Sequence, residues 1–435
     1  MNYDETIEYI HSAYWTGTKT GLKRTQELLA LLGNPEKQLK YVHVAGTNGK
    51  GSFCAMLSSI LTAAGYKTGL YTSPYVNRFN ERMAVNGEPI ADEKLVAIIE
   101  KIRPLVDSMG EKPSEFELIT CAAMEYFFEE ACDIVVLEVG MGGEWDSTNV
   151  IEKPELAVIT AMAYDHMKYL GTTMTEIASA KAGIIKNGCS TLIYGENPEA
   201  EEVFKRVCSQ RGSALFYSHP EKVTEDRDSI HGHTFCYPGY GELHLPLIGP
   251  HQIHNAALVL QAVELLKKQG WAIPKEAVHK GLERVSWPAR MELLCEKPVI
   301  LLDGGHNPQG AQAAAAALKE LFPGKKIRFL MGVMADKDVD TMVESLLPLA
   351  ERFYTVTPHN PRAMAAETLA RKLEDLGVHA AAYEPLETGI EAFVQEAGEE
   401  DILCAIGSLY LAGDVRRQVK EITAKDETLP SARKS

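Results

Sequence analysis

A lysine and a serine set in a run of glycines are the first residues in this chain that could do chemistry. Gly46-Thr47-Asn48-Gly49-Lys50-Gly51-Ser52 follows the apolar run Tyr41-Val42-His43-Val44. It precedes Phe53, Met56, Leu57, Ile60 and Leu61, which recur at helical spacing up to Gly65. That order predicts strand, tight loop and helix. Glycines let backbone N–H groups close on phosphate oxygens, and the helix N-terminus adds a positive dipole end. In such a loop Lys50 reaches the β- and γ-phosphates of a nucleotide, and the Ser52 hydroxyl ligates Mg2+. The run departs from the ordinary Walker form, because Gly51 separates lysine from serine and the glycine interval is shorter.

Glu138 closes a second apolar run, Asp133-Ile134-Val135-Val136-Leu137-Glu138-Val139, and leads into Gly140-Met141-Gly142-Gly143. A carboxylate at the carboxyl edge of a parallel sheet, near a phosphate loop, is placed to be a further magnesium ligand. Asp165-His166 follows the next run, Leu156-Ala157-Val158-Ile159-Thr160, at the same edge; a lone imidazole is a poor magnesium ligand. Lys181 falls on a helix that opens with the capping-box pattern Thr173-x-x-Glu176. On composition alone it reads as an exposed lysine. His231, His233, His244, His251 and His254 match no metal-ligand spacing, and their segment reads as a loop.

The elements that must position these groups alternate strand with helix. Runs apolar on both faces suit a parallel sheet, so the first part is expected to be a doubly wound α/β domain. A second alternation begins near residue 298. Val299-Ile300-Leu301-Leu302-Asp303 reads as a strand, Gly304-Gly305 as a turn, and Asn307-Pro308 as the N-cap and first residue of an alanine-rich helix. Further strands are expected at Ile327–Leu330, Phe353–Val356 and Ile402–Ile406. The stretch from Trp287 to Pro298 reads as a linker, which places the domains at 1–295 and 296–435. The tail after Lys420 is polar and is expected to fray.

Composition narrows the class. With 435 residues, 45% of them hydrophobic, two domains are the natural expectation. The 60 acidic against 44 basic residues give a formal charge of −16 and no basic stripe, which argues against nucleic-acid binding. Anionic substrates must therefore be drawn in by local positive features. The eight cysteines form no CxxC pair and suit a reducing cytoplasm. The N-terminal residues do not have the pattern of a signal peptide, and no apolar stretch approaches a membrane span.

Taken together, these blocks resemble the folylpolyglutamate synthases and dihydrofolate synthases of the Mur-ligase superfamily. His43-Val44-Ala45-Gly46 to Ser52 is similar to the family's phosphate loop. Further blocks follow in matching order: Thr72-Ser73-Pro74, Phe116-Glu117-x-x-Thr120, Glu138 to Gly143, Asp146-Ser147-Thr148-Asn149, Asp165-His166, Lys181 to Lys186, His251-Gln252 with Asn255-Ala256, Trp287-Pro288 with Arg290-Met291-Glu292, Asp303 to Pro308, and Gly407 to Gly413. The resemblance spans about residues 40 to 413. It departs at Glu144-Trp145, where the family commonly has arginine and a small apolar residue. Tyr75 stands for histidine, Ala289 for glycine and Gly305 for alanine.

The resemblance implies a two-domain Mur-ligase-like fold, with an N-terminal P-loop ATPase domain and a smaller Rossmann-like, glutamate-binding C-terminal domain. It implies ATP with two Mg2+ sites, Ser52, Ser73, Glu138, His166 and Lys181 forming the metal environment and Lys181 carried as a carbamate. Asn255, Arg290 and Asp303 resemble nucleotide-contacting positions. His306 and Ser408 resemble residues of the glutamate pocket, and Phe116, Glu117, Thr120 and Asp146 those near the pterin-bearing substrate. The implied reaction activates the carboxylate of tetrahydrofolate, or of dihydropteroate, as an acyl phosphate. The amine of L-glutamate then displaces phosphate, with Lys50 neutralising charge and His306 orienting or deprotonating the amine. Domain closure would exclude water. A cytoplasmic monomer is the family expectation. Two other readings fit the same blocks: a Mur-type ligase acting on another carboxylate, and a nucleotide-binding relative without catalysis.

Overall fold

The runs read as strands are strands, and their burial explains why they are unbrokenly apolar. In the computed structural model, residues 1–12 and 21–425 are described. By internal contacts they divide into two compact units. The first comprises residues 1–224, 237–243 and 254–285; the second comprises 225–236, 244–253 and the chain from 286 onward.

The first unit is built on an eight-stranded sheet. Its order is Glu88–Pro89, Met83–Val85, Thr68–Tyr71, Ile134–Glu138, Tyr41–Ala45, Leu156–Ile159, Ser190–Ile193, Ala214–Tyr217. Every pairing from Thr68–Tyr71 onward is parallel, and only the two short edge strands run antiparallel. Val42, Val44, Val135, Val136, Leu137, Ala157, Val158 and Ile159 are all fully buried, as expected of strands covered on both faces. Val44 lies opposite Glu138 and Ala45 opposite Ile159, so the three central strands end together. The phosphate loop leads into the helix Lys50–Ala63. The helix Lys275–Arg284 packs on it so closely that a Cβ on Gly281 would overlap the Ile60 backbone, and Ser59 Oγ donates to Gly281 O at 2.7 Å.

The second unit has a six-stranded sheet in the order Glu292–Glu296, Val299–Leu302, Ile402–Ile406, Ile327–Met331, Ala350–Val356, Ala380–Tyr383. All pairings are parallel except the first. Asn307 caps the helix Pro308–Leu321, its side chain accepting from Gly310 N at 2.8 Å.

Three expectations are corrected. The stretch from Trp287 to Pro298 is no simple linker: Glu292–Glu296 pairs with Val299–Leu302, so a boundary at 295 would cut through a strand of the second unit. The histidine-rich segment is not a loop. It forms a three-stranded sheet, Gly241–Leu245, Gly232–Tyr237, Thr224–Ser229, followed by the helix Pro250–Lys268. The last helix, Leu409–Lys425, continues past Lys420; the rest of the tail expected to fray lies outside the described residues. Among the described residues no helix is long and apolar enough to cross a membrane.

Candidate active site

The loop 46–52 leaves the central strand at a point where only glycine fits. Gly46 has φ +146°, and a Cβ there would overlap the Thr160 hydroxyl. Gly49 has φ +84°, and its Cβ would meet Asn255 Oδ1 at 2.6 Å. The loop is stitched to the next strand end: Thr47 N and Asn48 N donate to Ala161 O at 2.9 and 3.2 Å, and Thr160 Oγ1 donates to Asn48 O at 2.8 Å. Two of the amides expected to face phosphate are therefore engaged by protein. The first turn of Lys50–Ala63 adds the positive end of the helix dipole, which favours an anion there. Gly51 and Ser52 lie in that turn, and both are buried. Asn255, brought against Gly49, lies on the helix Pro250–Lys268.

Lys50 Nζ donates to Gly46 O and Thr47 O at 3.2 and 3.1 Å. Lys181 Nζ donates to the same Gly46 O at 2.8 Å. Lys181 is thus not the exposed lysine its composition suggests; it is 4% exposed, on the helix Met174–Ala182, whose capping box is present. Burial, reinforced by the Lys50 charge, holds its amine down to about 7, against the opposing pull of the Asp165 and Asp146 carboxylates. Glu138 is buried at the edge of its strand, its Oε2 accepting from Ser73 N at 3.2 Å. His166 opens the short helix Met167–Leu170 with a left-handed backbone, φ +51°, and its half-exposed ring stands 3.9 Å from Asp165. Asp165 stands out in the sequence only as the neighbour of His166, with no role of its own. Its motif is visible, but only the fold shows that its charge reaches Lys181. Among the described residues, no group of three or more His, Cys, Asp or Glu could hold a metal ion.

The residues expected near the pterin-bearing substrate divide into two kinds. Glu117 is spoken for: its Oε2 accepts from Ser114 N at 2.7 Å and from Arg24 Nε at 2.9 Å, which makes it a helix cap and a buried ion pair. Thr120 Oγ1 is fully buried, bonded to Phe116 O at 2.7 Å and lying 3.1 Å from Tyr71 OH. Asp146 turns inward. Its Oδ2 accepts from Met141 N at 2.9 Å, and its Oδ1 from Thr148 N and Thr148 Oγ1 at 3.0 and 2.6 Å. Burial raises its carboxyl above the usual range against those bonds. Its structural work is to fold the loop 140–146. Only Phe116 presents its body to that loop, with its ring against Gly140.

In the second unit, Asp303 follows the strand Val299–Leu302 and is buried. Its Oδ2 accepts from Met291 N at 2.9 Å and its Oδ1 from Gly305 N at 2.7 Å. Burial raises its carboxyl, while the Arg290 guanidinium pulls the other way. Arg290 Nη1 donates to Ala289 O at 2.9 Å. His306 Nδ1 lies 3.0 Å from Gly304 O, so it must donate; in the neutral ring Nε2 then carries the lone pair. Ser408 is buried at the start of the helix Leu409–Lys425, its Oγ accepting from Tyr410 N at 3.1 Å. Asp303, Arg290 and His306 are thereby brought to one turn.

Family models match both parts of the chain: the Mur ligase middle domain at residues 44–263 and the Mur ligase glutamate ligase domain at 289–409. The dihydrofolate synthase/folylpolyglutamate synthase of Bacillus subtilis is 37% identical, covering 96% of this chain and 99% of that one. The chain belongs to the folylpolyglutamate and dihydrofolate synthase family of Mur ligases. The folylpolyglutamate synthase of Lacticaseibacillus casei is likewise 37% identical, over 96% of this chain and 98% of the relative. The structure of Mycobacterium tuberculosis folylpolyglutamate synthase complexed with ADP and AMPPCP superposes with a TM-score of 0.87 at 30% identity, covering 96% and 99% of the two chains. As a member of this family of synthases the protein is an ATP-dependent ligase, and its mixed α/β architecture is that of the family.

Proposed function

We propose that the protein joins L-glutamate to the carboxylate of tetrahydrofolate, as a folylpolyglutamate synthase, using ATP. The observation that carries the reading is two lysines on one carbonyl: Lys50 and Lys181 both donate to Gly46 O, on the loop after the strand whose Val44 lies opposite the buried Glu138. A net charge of −16 would otherwise repel three anionic substrates. Lys50 and the first-turn amides hold the β- and γ-phosphates of ATP. The substrate carboxylate attacks the γ-phosphorus in line, the bond to the β-phosphate oxygen breaks, and ADP leaves. The neutral amine of glutamate adds to the acyl carbon, the carbon–oxygen bond to phosphate breaks, and phosphate departs. His306 Nε2 is suited to receive the amine proton, since Nδ1 is committed to Gly304 O. Arg290 and Asp303 are assigned to the nucleotide, and Ser408 with His306 to glutamate.

Magnesium fits the donors present. Glu138, Ser52 and Ser73 offer one carboxylate and two hydroxyls, which with phosphate oxygens and water is a set magnesium accepts without an all-protein cage. Bound there, the ion would neutralise phosphate charge. For a second ion, Lys181 as a carbamate would supply an oxygen ligand next to His166; its buried, depressed amine is the form that takes up carbon dioxide. The protein is assigned to the cytoplasm, as a monomer.

The test is ADP release with Mg2+, ATP and L-glutamate, run in parallel with tetrahydrofolate and with dihydropteroate. Turnover that requires both glutamate and tetrahydrofolate is expected. Turnover with dihydropteroate as well adds dihydrofolate synthase activity. Turnover with neither overturns the assignment in favour of another carboxylate or a non-catalytic relative.

A further inference from the structure

Of the five histidines that match no metal-ligand spacing, His233 alone is buried. It is 1% exposed, on the strand Gly232–Tyr237, beside a glycine whose Cβ would overlap Leu245 O. Its Nδ1 lies 2.9 Å from Asp226 Oδ1 and its Nε2 3.0 Å from Gly249 O. Asp228 Oδ1 stands 3.5 Å from the same Nε2, a second counter-charge. A carbonyl and a carboxylate only accept, so the ring donates at both nitrogens and ties the strand Thr224–Ser229 to the turn at Gly249. The chemistry assigned above uses neither bond.

Gly249 has φ +105°, and a Cβ there would meet the His251 ring at 2.8 Å and Ala317 Cβ at 3.2 Å. Its carbonyl accepts twice, from Gln252 N at 2.9 Å and from His233 Nε2. The bond from Gln252 closes the first turn of the helix Pro250–Lys268, so the imidazole holds that helix by the carbonyl on which it starts. Asn255 lies six residues after Gly249, about 9 Å along the axis. Its Oδ1 stands 2.6 Å from where a Cβ on Gly49 would be, so it fills the space that glycine leaves, directly against the phosphate loop.

We propose that His233 is a positioning residue for the nucleotide: by holding Gly249 O it fixes the start of the helix Pro250–Lys268, and with it the place of Asn255 against the phosphate loop. This rests on the assignment of Asn255 to the nucleotide made above. The hydrogen-bonded backbone is stiff over so short a span, so a shift at the first carbonyl is carried to Asn255. Asp226 fixes the ring so that Nε2 faces Gly249, as a carboxylate orients an imidazole whose other nitrogen makes the working contact. Packing of the hairpin alone would not call for this arrangement. Apolar side chains of similar volume fill such a place at equal or lower cost than a buried ring between carboxylates.

The test compares wild type with His233→Gln and His233→Asn. The glutamine amide takes the place of Nε2 and keeps a donor for Gly249 O; the asparagine amide takes the place of Nδ1 and keeps one for Asp226 only. Each variant loses one of the two ring bonds, so thermal unfolding should not separate them. Nucleotide affinity should. KM for ATP is expected to rise about tenfold in the asparagine variant and to stay near wild type in the glutamine variant, with kcat and KM for tetrahydrofolate within about twofold in both. Isothermal titration of ADP should show the same split without turnover. Equal nucleotide affinity in the two variants, whether kept or lost, overturns the positioning role. An Asn255→Ala enzyme that binds ADP like wild type overturns the assignment of Asn255 itself, and the proposal with it.

Discussion

Lys181 carries the sharpest tension between residue type and place. An ammonium ion buried beside a second ammonium, both donating to one carbonyl oxygen, is costly: burial and the Lys50 charge both favour the neutral amine. A neutral amine is also the nucleophile that adds carbon dioxide, and the carbamate so formed bears the negative oxygens that magnesium takes. The mass of the native protein is therefore expected to exceed the sequence mass by one carbon dioxide, and to lose it on acid unfolding. Lys181→Arg keeps the cation but cannot form a carbamate. It should fold and still lose turnover by about 100-fold or more, since even residues supporting a metal ligand are worth 10–100-fold. Rescue of Lys181→Ala by a short carboxylic acid would tie the loss to the missing oxygens. An arginine variant with full turnover would show that Lys181 serves only to hold the loop.

Among the elements, the helix Lys50–Ala63 does most to place the chemistry, because its first turn carries the lysine, the serine and the amides proposed for phosphate. Its far half is pressed by Lys275–Arg284 at Gly281, against the Ile60 backbone, where no side chain fits. Backbone atoms cannot yield as a side chain can, so Gly281→Ala must separate the two helices. The expected cost is about 1–3 kcal/mol in denaturant unfolding, the usual penalty of overpacking. KM for ATP should rise with it, because the loop moves with its helix. The control is Gly270→Ala, at a glycine with open space around it but φ +100°; strain there lowers stability without touching the loop, so KM for ATP should hold. Equal ATP affinity in the Gly281 variant would show that the loop is held by Thr160 and Ala161 alone.

Across the whole molecule, the parts visible in the sequence are those where one physical demand dominates. Strands buried on both faces have no choice but to be apolar, so Ile134–Glu138 and Tyr41–Ala45 could be read directly. Demands met by distant partners could not. Lys181 is buried by a fold its neighbours do not announce. Glu117 is claimed by Arg24, 93 residues away. The edge strand Glu292–Glu296 looked like a linker because its pattern is weak and its burial only partial.

His43 is the same case seen through stability. In the sequence it is one polar residue in an apolar run; in the fold it is fully buried, with Nε2 2.9 Å from Thr148 Oγ1. That hydroxyl gives its own proton to Asp146, so Nε2 must be the donor. Nδ1 is buried without a hydrogen-bond partner, and a proton there would have nothing to bond. Burial, with a smaller push from Lys186, holds the ring down to about 3, against an ordinary 6.5. The sign follows: above pH 6.5 both folded and unfolded states are neutral at this site. Below it the unfolded chain takes a proton that the folded one refuses, so stability is lost as pH falls from 6.5 toward 3. At pH 5.5 the loss is about 1.4 kcal/mol, one pH unit's worth. Denaturant unfolding at pH 7.5 and 5.5 should show wild type losing about that much more than His43→Gln, which keeps a donor toward Thr148 but does not titrate. Equal losses in the two proteins would mean that His43 accepts a proton in the folded state, and that the Thr148–Asp146 link folding the loop 140–146 gives way on acidification.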